Sequence, residues 1–125
     1  MKHILRIEKK IFDGKDDDFY ELEYRIKCPC CGSDIVFDNA KSKSAWQLQR
    51  FIVNQAAKYI NNIKIIDEPD DEFPNYIYED LSIYYQLLNC HEKQLIIFIA
   101  EGEIQPARYQ IYLLGIFELS EELLN

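Results

Sequence analysis

The chain has 125 residues, 48% of them hydrophobic, and a formal net charge of −8 from 22 acidic and 14 basic side chains. That length fits a single domain, 1–125, with enough apolar content for a core and too much for general disorder. The acidic balance repels phosphates and anionic lipid, and no basic stripe stands out. Direct nucleic-acid or membrane binding is therefore not expected, and a basic protein partner is favoured.

The first eight residues, Met1 to Glu8, carry charge and no apolar stretch of the signal-peptide kind. The longest strongly apolar run, Leu95 to Ala100, is far shorter than the roughly 20 residues that a helical membrane span needs. The cytoplasm is the expected location. There the four cysteines stay reduced or hold metal rather than pairing as disulfides.

In chain order, residues 3–12 read as a first strand, with His3 among apolar neighbours and Asp13-Gly14 as a hairpin-type turn. Asp16, Asp17 and Asp18 extend that loop. Tyr20, Leu22, Tyr24 and Ile26 then alternate with charged residues, which predicts a half-buried strand. Cys28-Pro29-Cys30-Cys31-Gly32 follows, and Ile35-Val36-Phe37 reads as a short strand.

Ala45, Leu48, Ile52, Ala56, Tyr59 and Ile63 recur at steps of three and four and predict a helix over 44–62. Ser44 with Gln47 fits a capping box, with Ser42 as the alternative cap. Residues 67–74 combine two prolines with five acids and predict a loop. Over 76–89 helical and alternating spacings compete. Aromatic and β-branched residues favour a strand from Leu81. The Leu95–Ile99 run predicts a central strand, 101–106 a loop in which Arg108 pairs with Glu101 or Glu103, and 109–114 a last strand. Ser120 caps a final helical turn in this reading. The expected fold is α+β: an antiparallel sheet of five or six strands with the 44–62 helix on one face.

The chemistry concentrates at Cys28 and Cys31, which have the C-x-x-C-G spacing that lets two thiolates reach one ion, with glycine permitting the tight turn after the second. The segment resembles the first half of a zinc ribbon. A second C-x-x-C is missing. At the matching place, between strands that weakly echo the first pair, stand Cys90 and His91, with Lys93 in the fourth-cysteine position. Two readings compete: a structural zinc site from Cys28, Cys31, Cys90 and His91 or Cys30, or a metal-free degenerate ribbon with no cofactor. A redox role for Cys28 and Cys31 lacks the following helix that lowers a thiol pKa. No nucleophile elbow, phosphate loop or zinc-protease motif is present, so an enzyme is not expected.

In size, acidity and the Cys28–Gly32 segment the chain resembles the immunity proteins of bacterial toxin systems, including those of contact-dependent growth inhibition. The resemblance implies binding of a basic toxin, such as a nuclease, by an acidic face that covers its active site. The candidate contact residues are Asp16, Asp17, Asp18, Asp70, Asp71 and Glu72, with Tyr76, Tyr78, Tyr84 and Tyr112 as aromatic anchors. The alternative is a zinc-ribbon-like adaptor or regulatory protein-binding module.

Overall fold

A computed structural model describes residues 2–15, 22–66, 75–91 and 93–119. The strands are β1 (Lys2–Lys15), β2 (Glu23–Lys27), β3 (Asp34–Asp38), β4 (Lys43–Ser44), β5 (Ile63–Ile66), β6 (Asn75–Tyr78), β7 (Leu81–Cys90), β8 (Lys93–Gln105) and β9 (Arg108–Leu119). Among the described residues one α-helix, α1, spans Arg50–Tyr59. The seven-stranded sheet is antiparallel in the order β1-β9-β8-β7-β6-β5, with β4 also paired to β7, and β2 and β3 form a separate two-stranded ribbon.

β8 is the centre of this arrangement, and it is buried without interruption from Leu95 to Glu101. Successive side chains on a strand point to opposite faces. Leu95, Ile97 and Ile99 join one apolar cluster with Ile111, Leu113, Ile116 and the ribbon residues Ile35 and Phe37. Ile96, Phe98 and Ala100 join another with Phe117, Tyr76, Ile83 and the α1 residues Ile52, Val53 and Ala56. A strand buried on both sides reads as a continuous apolar run, as it does in this sequence.

Pairing of β8 with β9 shifts between Phe98 and Ile99, and the shift places one extra residue, Leu114, in β9. Leu114 thereby joins the same cluster as the helix. Beside it, Gly115 is a point of close approach: a Cβ there would lie 2.9 Å from the Leu5 carbonyl oxygen of β1 and 3.2 Å from the Phe117 ring.

Several expectations need correction. The helix is shorter than 44–62, because Ser44 is drawn into β4 opposite Tyr84. Ala45–Gln47 form a 3₁₀ turn for which Ser44 supplies no side-chain cap. Ser42 caps no helix start; its hydroxyl donates to the Asn39 carbonyl at 2.8 Å. Asp13 and Gly14 are not a turn but lie in β1, opposite Gln110 and Tyr109. Residues 101–105 belong to β8, and the reversal falls at Pro106-Ala107, with Ala107 at φ +61°. Arg108 pairs with neither Glu101 nor Glu103: its guanidinium donates twice to the Asp13 carboxylate, at 2.7 and 2.9 Å. That pair and Gln110 hold the Asp13 carboxyl down at about 2. The 16–18 and 67–74 loops and the turn at 120–124 lie outside the described residues.

Glu101 extends the buried run of β8 into a polar residue. It is 9% exposed, and its Oε2 has no hydrogen-bond partner among the described residues. Burial pushes its carboxyl up to about 7 from the ordinary 4.5.

Two outcomes follow from this packing. Gly115→Ala forces β1 or the Phe117 ring to move and lowers the unfolding free energy in urea by about 1–3 kcal/mol. For Glu101 the native state holds a proton that the unfolded chain releases between pH 4.5 and 7. Its stabilising share is therefore complete below about pH 4.5 and lost as pH rises through about 7. Glu101→Gln removes that loss, so its advantage over the parent chain grows across this window to a few kcal/mol at pH 8. A pH series of urea melts on both chains measures the difference.

Candidate metal centre

Two hairpin ends build the site. After β2 the chain reverses through Cys28 to Ser33. The Cys28 N–H donates to the Ser33 carbonyl at 2.7 Å, and the Gly32 N–H donates to the Cys28 carbonyl at 2.8 Å. Gly32 sits at φ +75°, in the left-handed region where a side chain is disfavoured. The Cys30 N–H donates to the Cys28 sulfur at 3.4 Å. The second end is the β7–β8 reversal. Cys90 closes β7 opposite Lys93, and His91 takes φ +56° to turn the chain.

The ribbon's apolar residues draw the first end against the second, since Cys28, Ile35, Phe37, Cys90 and Leu95 share one buried cluster. Cys28 Sγ lies 3.2 Å from Cys90 Sγ, and Cys31 Sγ lies 2.9 Å from the same atom. All three sulfurs fall within 4.8 Å of one another. Ser33 Oγ is 2.9 Å from Cys31 Sγ. All four cysteines of the chain are free thiols.

The environment polarises the cluster. The Cys31 thiol is lowered to about 6, first by its hydrogen bond with Cys90 and then by Ser33. Its partner Cys90 is raised to about 12 by the bonds with Cys31 and Cys28 and by burial. The two shifts run in opposite directions, so Cys31 is the more readily ionised of the pair. Thiolate character is what a soft metal ion needs in its ligands.

The donor set fits zinc in type and closeness. Tetrahedral Zn–S bonds of about 2.3 Å set sulfurs about 3.8 Å apart. To hold such an ion the two short sulfur contacts, at 3.2 and 2.9 Å, would have to open by under about 1 Å. His91 and Cys30 stand outside the three-sulfur group. Both, with Cys90 and Lys93, line an open hollow of about 500 Å³ beside it. Of the four expected ligands, three come together and His91 lies at the rim.

The aromatic anchors fare differently. Tyr76 and Tyr78 are each 5% exposed and belong to the core, so neither is a surface contact. Their strand alternates its burial with the helix-side cluster below it, and the Tyr78 hydroxyl donates to Glu8 Oε1 at 3.1 Å. Tyr84 and Tyr112 are half-buried and pack against the two apolar clusters. Asp16, Asp17, Asp18, Asp70, Asp71 and Glu72 lie outside the described residues. Ser33, a direct neighbour of the cluster, was not singled out in the sequence, where only its place after Gly32 could have marked it. Compared with protein-family models, with curated proteins and with solved structures, the chain finds no match in any of the three.

Proposed function

We propose that this protein is a zinc-ribbon-like protein-binding module in which Cys28, Cys31 and Cys90 hold one structural zinc ion, with His91 or Cys30 as the fourth ligand. The observation that carries this reading is the convergence of three thiols from two hairpins 59 and 62 residues apart in sequence. Bound there, zinc supplies a cross-link between the ribbon and the seven-stranded sheet. The chain's own part is to pre-place the sulfurs and, at Cys31, to favour the thiolate through the bonds with Cys90 and Ser33. In this reading α1 lies on one face of the sheet and the ribbon on the other, so the metal fastens only the ribbon side.

Because the ion displaces the proton on Cys90, affinity rises with pH. The test is metal titration of the chelated, reduced chain. Cobalt(II) gives thiolate charge-transfer absorption at a single site per chain, zinc displaces it, and the thermal midpoint rises with the metal. Cys90→Ser weakens binding by about tenfold or more. Retention of full affinity by Cys90→Ser, or no thiolate band at all, refutes the site.

A second reading is favoured by the charge of −8. In it the protein is a cytoplasmic immunity protein whose acids cover the active site of a basic toxin, and it carries out no reaction itself. Asp70, Asp71 and Glu72 remain its proposed contacts. Reversing those three charges slows association with a co-purifying basic protein and weakens it most at low salt. Unchanged affinity rules these residues out as contacts.

A further inference from the structure

The segment from Asn39 to Ile66 holds five cations and no acid, within a chain of net charge −8. The fold gives this imbalance a direction. Lys43 lies opposite Tyr85, a residue of the cluster that contains α1. Paired residues of neighbouring strands face the same side. The buried side of α1 is Ile52, Val53 and Ala56, which leaves Arg50, Phe51, Asn54 and Lys58 on its exposed side. The acids of β8 and β9 go the other way. Glu101 and Glu103 follow Ile99 at steps of two, and Glu118 lies opposite Leu95, all on the ribbon side of the sheet.

Pairing alone does not set these cations apart: Lys10, Lys27, Lys93, Arg6 and Arg108 each meet an acid, whereas Lys9, Lys15 and Arg25 make no ion pair among the described residues. Lys41, Lys43 and Lys58 make no ion pair among the described residues. Apolar surface accompanies them. Phe51 is 41% exposed, and Leu87, which shares a hollow with Lys41 and Lys43, is 43% exposed. Trp46 and Tyr59, on or beside α1, are exposed as well, at 45% and 37%.

We propose that the helix side of the sheet is a docking surface for an acidic protein segment, whose carboxylates meet Lys41, Lys43 and Lys58 and whose apolar residues cover Phe51 and Leu87. Charge complementarity selects the sign of the partner. The net charge selects a protein segment over a nucleic acid: a long polyanion is repelled by the remaining surface of a chain of net charge −8, whereas a short acidic segment meets only the local cations. The surface lies across the sheet from the three cysteines, so it stands or falls separately from the metal site.

Trp46 is the only tryptophan of the chain and sits just ahead of α1, half exposed, so its emission reports on this side. The test uses the full chain with a short helical peptide of glutamate and leucine as probe and an oligothymidylate of matched charge as comparison. The peptide shifts Trp46 emission and binds with an affinity that falls as salt rises. The triple variant Lys41→Glu, Lys43→Glu, Lys58→Glu weakens it by about tenfold or more, and Phe51→Ser with charges intact weakens it by several-fold. Circular dichroism confirms that each variant is folded, and Phe51→Ser carries the test if the triple variant is not. No emission shift with the peptide, equal binding by the folded variants, or tighter binding of the oligothymidylate overturns the proposal.

Discussion

The burial of one strand on both of its faces organises this molecule. β8 sends Leu95, Ile97 and Ile99 to one apolar cluster and Ile96, Phe98 and Ala100 to the other. Each cluster needs its own cover, because apolar area left in water costs about 25 cal/mol per Å². The ribbon residues Ile35 and Phe37 lie in the first, and the α1 residues lie in the second. Close packing at this seam also explains why β9 carries a bulge and a glycine where β1 approaches. The buried Glu101 marks the end of the seam, where the strand continues past the apolar run.

The thiol cluster is a consequence of the same packing. Neither hairpin end could bring three sulfurs together by itself. The Cys28–Gly32 turn supplies two, and its position is set by where Ile35 and Phe37 find apolar cover. Cys90 supplies the third because β7 ends beside that cover. The internal echo between the two strand–cysteine–strand segments thus acquires a physical meaning: two hairpins with their cysteine ends facing. The proposed zinc ion would fasten a contact that apolar burial already makes, which is how a short ribbon gains rigidity beyond its own small area.

In the proposed arrangement charge divides across the sheet: the acids of β8 and β9 stand beside the ribbon's cluster, and the acid-free stretch belongs with the cluster of α1. On that proposal a chain with a large net charge presents two unlike sides. The net charge alone suggested a single kind of partner, a basic one. The acid-free stretch was legible in the sequence all along, but it acquired a direction only once β4 was paired beside Tyr85, a residue of the cluster that contains α1.

The sequence by itself determined those elements whose signal is local. The charged alternation over 20–27 predicted the strand found at Glu23–Lys27, the Leu95–Ile99 run predicted the centre of β8, and the C-x-x-C-G spacing predicted a tight turn at the cysteines, where Gly32 takes a positive φ. What only the tertiary structure decided depended on partners far away in the chain. Residues 76–89 showed two spacings at once because β7 is covered on both faces, Leu81, Ile83 and Tyr85 in one cluster and Tyr84 and Leu88 in the other. The helix lost its first residues to a strand because Ser44 found a backbone partner in Tyr84. The reversals at Glu79, His91 and Ala107 lacked turn glycines, since strand pairing on either side imposes a positive φ that these residues would not choose alone. Tyr76 and Tyr78 looked like surface anchors because an isolated tyrosine suits either place, and only the sheet below them made them core.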